Sequence, residues 1–245
     1  MALPDTSFRI NQRGSWPGPL TFRRGWARAT ARPWNDAQPD ASLRLVRGSG
    51  SFLDACSRQL LECGAPSVLS PPLPQGTRKT WEEIGYRPFL DLALMRMPIA
   101  DGTAAPDHLV VEADPISLED LLAIDAAAFS PFWRFDKAGM REAMNATGRS
   151  SVLIIRDADG GAAGFAIVGY GAAISYLQRV AVHPQWQGQR MGRSMVRVAA
   201  RKARAAGARV MLLNTQIDNY AAIRMYETEG YVTLPEPLAL LRFQG

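Results

Sequence analysis

The feature that most constrains this chain is a strand, Pro turn, glycine-bearing loop and helix in succession, at Arg179–Met195. The β-branched run Val180–Val182 favours a strand, and Pro184 ends it because proline cannot donate to a strand ladder. From Met191 onward apolar residues recur at helical spacing. The first turn of a helix carries unpaired N–H groups and the positive end of the helix dipole, so the loop predicts an anion site and favours phosphate.

A second strand and helix follow closely. Val210–Gln216 has the pattern of a strand, Asn219 is placed to cap a short helix, and Gly230 is placed to end it. Tyr226 follows Asn219 by seven residues and falls on the inner face of that helix. From the residues alone, a core aromatic with a satisfied hydroxyl is the structural alternative to a functional tyrosine.

The two stretches together resemble the GNAT superfamily of acetyl-CoA-dependent N-acetyltransferases. Its loop pattern runs from Gln or Arg to Gly or Ala, and Gln187 and Gly192 match the two ends. Arg190 stands at the inner Gly position, a departure that a guanidinium contact with phosphate would offset. The resemblance implies that this loop holds the coenzyme A pyrophosphate. The cofactor-binding residues that it implies are Val180, Ala181, Val182, Gln187, Gly188, Gln189, Arg190, Met191, Gly192, Arg193 and Asn219.

The resemblance also implies the catalytic groups. Backbone groups of Val180–Val182 hold the oxyanion and pair with the pantetheine arm, and Tyr226 is the general acid that protonates the departing thiolate. The base is left open, because relatives that acetylate ribosomal-protein N-termini carry Glu where this chain has Asn214. Deprotonation through ordered water is one alternative. The nearby titratable residues, interpreted as solvated helix-end charges or a turn residue, are Asp218, Glu227, Glu229 and His183.

The resemblance predicts an α/β (α+β) fold class. The expected GNAT fold has a mixed, largely antiparallel sheet that splays between its fourth and fifth strands and is flanked by helices. Aromatic residues between the first two predicted helices, Phe129, Phe132 and Trp133, are candidates to line the acceptor site, with packing against the sheet as the alternative. The predicted elements before the loop are strand Leu109–Glu112, helices Ile116–Phe129 and Asp136–Ala146, and strands Ser151–Arg156, Gly164–Gly169 and Tyr176–Val182.

Arginines recur along the helix after the loop. Their spacing places them in one stripe, for which a solvated face is the default interpretation. Arg190 and Arg193 lie in the first turn, within reach of cofactor phosphates, whereas the others are predicted to be surface charge. The members of the stripe are Arg193, Arg197, Arg201 and Arg204.

The end of the first hundred residues repeats the end of the chain. Arg78–Tyr86 mirrors Arg224–Tyr231 at an offset of 145 residues, with Trp81 in the place of Tyr226. Gly48–Gly50 is a poor substitute for the phosphate loop. We interpret the first half as a degenerate GNAT-like copy, a tandem layout similar to mycothiol synthase. Its predicted elements are strand Ser42–Arg47, helix Phe52–Cys63, strand Pro66–Leu69 and strand Leu90–Met97.

The repeat predicts the domain organisation. Residues 1–97 form the degenerate domain, 98–107 an exposed linker, and 108–245 the catalytic domain. The first copy would then act as a built-in dimer partner in a monomer, with a homodimer as the alternative.

Global properties predict a cytoplasmic enzyme. No apolar run approaches the ~20 residues of a membrane helix, and Met1–Asp5 lacks a basic segment followed by an apolar run. Cys56 and Cys63 lie too far apart on one predicted helix for a disulfide, and are expected to be core thiols. Neither of the 2 histidines lies near a cysteine, so we expect no metal.

Two rival functions stay open. The net charge of +5 is carried by residues 1–50, where three tryptophans alternate with arginines, a pattern that suits single-stranded nucleic acid but also a strand such as Leu20–Arg23. The second rival is a catalytically decayed acyl-CoA-binding or regulatory relative, supported by Arg190 and Asn214. The acceptor is expected to be a primary amine, as a small molecule or a protein N-terminus, and a strongly cationic one is disfavoured. The residues of the basic pattern are Trp16, Trp26, Trp34, Arg13, Arg23, Arg24, Arg28 and Arg32.

Overall fold

The structure is a computed structural model that describes residues 10–100, 102–113 and 117–245. Predictions for Met1–Asp5 and for Ile116 therefore lie outside the described residues. Up to residue 98 the elements are β1 (Asn11–Arg13), β2 (Leu20–Arg24), β3 (Ala27–Pro33), β4 (Ala41–Arg47), α1 (Gly50–Glu62), β5 (Val68–Leu69), α2 (Gln75–Glu82) and β6 (Arg87–Pro98). The elements that follow are β7 (Val110–Glu112), α3 (Leu118–Ala128), α4 (Lys137–Met144), β8 (Arg149–Arg156), β9 (Ala162–Tyr170), β10 (Ile174–Val182), α5 (Met191–Ala205), β11 (Val210–Gln216), α6 (Tyr220–Thr228), β12 (Val232–Thr233) and β13 (Leu238–Phe243).

The chain divides into two compact units. The first consists of Met1–Leu92 with Glu236–Gly245, and the second of Ala93–Pro235. These divisions fall at other positions than the predicted domain boundaries. Residues 102–107 of the predicted linker lie in the second unit, where they bond to α5, and β13 belongs to the first unit because it pairs with β5 and with the start of β6.

The first unit is a mixed sheet covered by α1 and α2. Its strand order is β1-β2-β3-β4-β5-β13-β6, and only the β4–β5 pair among its described strands is parallel. Phe22, Leu43, Phe52 and Tyr86 are fully buried in its core. Burial of such side chains removes apolar area from water, which is the main stabilising term for a sheet and its covering helix. Cys56 lies in this core and Cys63 is part-exposed, and both are free thiols.

The second unit has helices on both faces of its sheet. The strand order is β6-β11-β10-β9-β8-β7, with β12 on β6. β7 to β10 pair antiparallel and β10 pairs parallel with β11, which suits the crossover through α5. One core lies under α5 and α6, and a second lies under α3 and α4.

The predicted fold class is confirmed, and local signals place most elements. Asp136 Oδ1 accepts from the Gly139 N–H at 2.7 Å and caps α4, and Asn219 Oδ1 accepts from the Ala222 N–H at 3.2 Å and caps α6. Gly230, with φ of 93°, follows α6 in the left-handed region that glycine favours. In the described part of the chain, no helix combines the length and the apolar character needed to span a membrane.

Candidate functional site

The sheet of the second unit opens between β10 and β11. The two strands pair at Ile174↔Val210, Ser175↔Met211 and Tyr176↔Leu212, and the ladder stops there although both strands continue. On its other edge β10 stays paired with β9 up to Val182, past an irregularity between Leu177 and Arg179. The far half of β10 therefore has one paired edge and one open edge, as the predicted splay between the fourth and fifth strands requires.

The open edge offers backbone groups of alternate residues. The His183 N–H donates to the Ala163 carbonyl on the β9 side at 2.9 Å. Because successive strand residues alternate in direction, the Ala181 backbone also faces β9, and those of Val180 and Val182 face the open edge. Of the three predicted backbone contacts, Ala181 is thus turned to β9. The Val182 carbonyl accepts from Gln187 Nε2 at 3.0 Å, which ties the following loop to the strand end.

The loop after β10 turns sharply before α5. Pro184–Trp186 form one 3₁₀ turn, and His183 Nδ1 accepts from the Gln185 N–H at 3.3 Å, so His183 serves the turn as predicted. Gly188 has φ of 77° and Arg190 has φ of 64°, both left-handed. Arg190 thereby takes the backbone conformation that the glycine of the loop pattern would take, at a cost of about 1–2 kcal/mol for a residue with a Cβ.

The N-terminus of α5 is left open by its own side chains. Arg190 is the residue at its N-cap, and within the described residues its side chain makes no capping hydrogen bond. The amides of Met191, Gly192 and Arg193 occupy the first turn, where no intrahelical acceptor exists. Gln187, Gly188, Gln189 and Arg190 are exposed, so an anion approaching this terminus meets several donors at once.

Three elements meet at the start of α5. A Cβ placed on Gly192 would lie 3.4 Å from the Met225 Sδ of α6 and 3.8 Å from the Val182 Cγ2 of β10. The loop that precedes α5, the open strand edge and the helix that carries Tyr226 are therefore neighbours. The sequence predicted each separately, and the structure brings them together.

The arginines of α5 are largely paired. Arg193 Nε lies 2.8 Å from Glu229 Oε1, and Arg197 forms two bonds to the same carboxylate at 2.8 and 3.0 Å. Glu229 has only 7% of its side chain exposed, so its interpretation as a solvated helix-end charge was wrong. The solvated-face interpretation of the stripe is corrected for Arg193 and Arg197. Arg201 and Arg204 are exposed, as predicted, and Arg201 Nη2 donates to the Thr103 carbonyl at 2.8 Å.

Asp107 and His108, which precede β7, contact α5 and the loop before it. The Asp107 and His108 N–H groups donate to Ser194 Oγ of α5 at 3.0 and 3.2 Å. His108 Nε2 lies 2.7 Å from the Gln189 carbonyl, and the Asp107 carboxylate lies 4.0 Å from Arg190 Nη1. The loop is thus held by side chains on both flanks.

Tyr226 is buried on the inner face of α6. Its exposed fraction is 8%, and its ring packs edge-on to Tyr231 at 5.5 Å between centroids. Burial raises the pKa of Tyr226 to about 12, while the nearby Arg179 charge lowers it. The phenol therefore keeps its proton at neutral pH and is available as a donor.

The residues that sequence reasoning missed form a buried ion pair. Arg179 of β10 bonds to both carboxylate oxygens of Asp125 of α3, Nε–Oδ2 at 2.7 Å and Nη2–Oδ1 at 2.9 Å. Asp125 is fully buried, and 11% of the Arg179 side chain is exposed. The sequence signal was present, because an Asp on the inner face of an apolar helix and an Arg inside an apolar strand each need a partner.

The aromatic candidates for the acceptor site lie around this pair. The Arg179 guanidinium carbon lies 3.4 Å from the Phe129 ring centroid and 3.9 Å from that of Phe135. Arg179 Nη2 also donates to the Trp133 carbonyl at 2.8 Å, and the rings of Phe132 and Trp133 meet edge to face. The segment thus packs around a charged group of β10, and a role in lining the acceptor site stays a prediction.

The remaining carboxylates near α6 are exposed or committed. Asp218 and Glu227 are exposed, as predicted, and Asn214 is exposed on β11. Glu229 is bound by two arginines and Asp125 by Arg179. None of these groups is an uncommitted buried base.

The basic N-terminal pattern is dispersed over the first unit. Trp16 packs against the core and Trp26 is exposed. Arg24 donates to Ser51 Oγ at 3.0 Å, and Arg32 donates to the carbonyls of Pro33 and Trp34. These residues belong to β2, β3 and their turns, the strand alternative of the sequence analysis.

Comparisons with known proteins agree with this geometry. Residues 118–231 match the Acetyltransferase (GNAT) family. A comparison with curated proteins gave no match.

Solved structures resemble nearly the whole chain. A tandem GNAT protein from the clavulanic acid biosynthesis pathway matches with a TM-score of 0.65 at 16% identity, over 92% of this chain and 82% of that one. A GCN5-related N-acetyltransferase from Kribbella flavida matches with a TM-score of 0.55 at 16% identity, over 96% and 90%. An acetyltransferase of the same family from Novosphingobium aromaticivorans gives 0.58 at 16%, over 83% and 84%. At these identities the likeness establishes the fold alone.

Proposed function

We propose that this protein transfers an acetyl group from acetyl-CoA to a primary amine, carried by a small molecule or a protein N-terminus. The match of residues 118–231 to the Acetyltransferase (GNAT) family supports acyl transfer. The observation that carries the proposal is the meeting of β10, α5 and α6 around Gly192. It sets an open strand edge, an uncapped helix N-terminus and a buried tyrosine side by side. Acetyl transfer from coenzyme A uses all three.

The donor groups fit coenzyme A. The amides at the start of α5 and the exposed Gln187–Arg190 loop suit a pyrophosphate, which takes several N–H donors at a helix terminus. The Val180 and Val182 backbone groups on the open edge suit the amides of a pantetheine arm. Arg193 is bound to Glu229. It therefore contributes positive charge near the helix N-terminus rather than a free guanidinium.

The reaction needs an oxyanion site and a proton donor. The amine nitrogen forms a bond to the thioester carbonyl carbon, the carbon–sulfur bond breaks, and the amine proton leaves to water. A Val180 or Val182 N–H stabilises the oxyanion, and Tyr226 gives its proton to the departing sulfur. A thiol has an ordinary pKa of about 8.5, below that of Tyr226, so the Tyr226 hydroxyl first stabilises the developing thiolate as a hydrogen-bond donor. The tyrosinate that proton transfer leaves is reprotonated by water.

The amine is deprotonated without a dedicated carboxylate in this proposal. Asn214 cannot accept a proton, and the buried carboxylates Asp125 and Glu229 are bound by arginines. An amine that is already neutral, or one that loses its proton through ordered water, meets the requirement.

The test is acetyl-CoA consumption by the pure protein against a panel of amines and peptides, followed as release of free thiol. The proposal expects saturable turnover with at least one class and saturable binding of acetyl-CoA alone. Failure to bind acetyl-CoA would overturn the proposal. Binding without turnover on the whole panel would instead favour the decayed relative, whose support from Arg190 is weakened because Arg190 keeps the left-handed backbone of the loop.

A further inference from the structure

The buried pair of Arg179 and Asp125 leaves one donor edge unused. Asp125 Oδ1 accepts from Arg179 Nη2 and from the Phe135 N–H at 2.6 Å, and Oδ2 accepts from Arg179 Nε. The Asp125 carboxylate therefore has a partner on each oxygen. Arg179 spends Nε and Nη2 on Asp125 and on the Trp133 carbonyl.

Nη1 of Arg179 is the remaining nitrogen. Among the residues that the structure describes, it donates to none, and it is not among the polar atoms sealed from solvent. Phe129 and Phe135 cover the guanidinium at 3.4 and 3.9 Å, so ligands can reach it only along its edge. The Arg179 side chain keeps 11% of its area exposed, and its bonds to Asp125 and to the Trp133 carbonyl hold the Nη1 donor in a fixed orientation.

This donor lies at the reaction site of the proposed function. Arg179 immediately precedes Val180, whose backbone faces the open edge of β10, and its charge acts on the Tyr226 hydroxyl. An ammonium group has no acceptor for such a donor, and the lone pair of the neutral amine is needed for attack on the thioester, so the reacting amine is not what Arg179 holds. A group with an acceptor oxygen is required, and a carboxylate makes the stronger, charge-assisted bond.

We propose that Arg179 recognises a carboxylate on the acceptor, so that the substrates of this enzyme are amino acids or short peptides that carry a free carboxylate beside the amine. The inference rests on the proposed acetyl transfer and names its substrate class. The inference also gives a reason for burying this charged pair, which costs free energy. Asp125 and the two phenylalanine rings hold the guanidinium in one orientation before the substrate binds.

The first experiment uses the unmodified protein and matched acceptors. Amino acids of increasing distance between amine and carboxylate are compared with their primary-amide twins by kcat/KM. A charge-assisted hydrogen bond predicts at least about a ten-fold preference for the acid over its amide at the best length. Acetylation of acids and amides at equal rates would overturn the inference and leave the proposed function standing. No acetylation of any amine would overturn both.

The second experiment ties the preference to Arg179. Replacing Arg179 alone leaves Asp125 buried and unpaired, so Arg179→Gln is made together with Asp125→Asn. We expect the acid-over-amide ratio to fall to about one, mainly through KM of the acid, while amide turnover changes less. Arg149→Gln is the matched control, because it removes an arginine that packs on Tyr170 outside the site. A ratio that survives in the double variant would overturn the assignment, and the acid–amide comparison on the unmodified protein stands if that variant fails to fold.

Discussion

The helices α1 and α5 each connect two strands that pair in parallel, β4 with β5 and β10 with β11, but the two helices begin in opposite ways. α1 starts at Ser49, whose Oγ accepts from the Phe52 N–H at 3.4 Å, so the helix caps itself. α5 starts at Arg190, in the left-handed region and without a side-chain cap. A helix that satisfies its own first amides has less to offer an anion than one that leaves them open. The residue at the N-cap therefore distinguishes a structural helix from a candidate binding helix.

The two copies of the repeat extend this comparison to the aromatic pairs. Trp81 and Tyr86 meet edge to face at 4.8 Å, as Tyr226 and Tyr231 do at 5.5 Å. In each pair the second residue donates its N–H to the carbonyl of the first, at 3.1 and 3.0 Å. The repeat predicted from sequence thus has a common backbone arrangement. It differs in its hydroxyls, because Trp81 has none.

The largest effect is expected at the position where the copies differ in chemistry. Tyr226→Phe removes the proposed proton donor and should lower kcat by about 10²- to 10⁴-fold while leaving acetyl-CoA binding intact. Steady-state kinetics and calorimetric binding measure the two quantities. Tyr231→Phe is the control, since the buried Tyr231 hydroxyl has no partner among the described residues and its removal should spare both. An unchanged kcat in Tyr226→Phe would remove Tyr226 from this role.

The self-capped helix should respond in stability alone. Ser49→Ala removes the cap of α1 and is expected to lower the free energy of unfolding by about 1 kcal/mol. Denaturant titration measures the loss, and acetyl-CoA turnover should not change. A loss of turnover in a correctly folded Ser49→Ala protein would contradict the assignment of the first unit as structural.

At the start of α5, relief of backbone strain should raise the free energy of unfolding. Arg190→Gly places at φ of 64° the residue best suited to it, and should raise the free energy of unfolding by about 1 kcal/mol. Arg190→Ala keeps the strain, and both variants remove the guanidinium, so a loss of acetyl-CoA affinity relative to the unmodified protein that both variants share isolates the contact with phosphate. Equal, undiminished affinities in both would show that this guanidinium does not contact the cofactor.

The smallest expected effect concerns the dependence of kcat/KM on pH, which should show no decline at high pH. The pKa of Tyr226 is raised from the ordinary tyrosine value of 10.0 to about 12. This phenol therefore stays protonated to a higher pH than an ordinary tyrosine does. We expect kcat/KM to rise with pH as the acceptor amine loses its proton and then to level off through about pH 10. Circular dichroism over the same range controls for unfolding. A descending limb near pH 10 in folded protein would contradict the raised pKa.

Local patterns predicted the elements of this chain well because their causes are local. Val210–Gln216 is a strand over the predicted residues, and Asp136 and Asn219 cap the helices expected of them. Interactions that bridge distant residues were not predicted. Asp125 and Arg179 lie 54 positions apart, and the salt bridges of Glu229 reach back to α5. A single charged residue in a sequence is interpreted as solvated by default. Its burial can be inferred only when its partner is known.

The sequence by itself determined the element order, the loop that leads into α5 and the position of Tyr226 on the inner face of α6, because turn, cap and periodicity signals act over a few residues. The tertiary structure decided which groups are free. It turned the Ala181 backbone toward β9 and the edges of Val180 and Val182 outward, bound Arg193 to Glu229, and left one nitrogen of Arg179 without a partner among the described residues. Availability for a ligand depends on which neighbours arrive from elsewhere in the chain, and packing alone settles that.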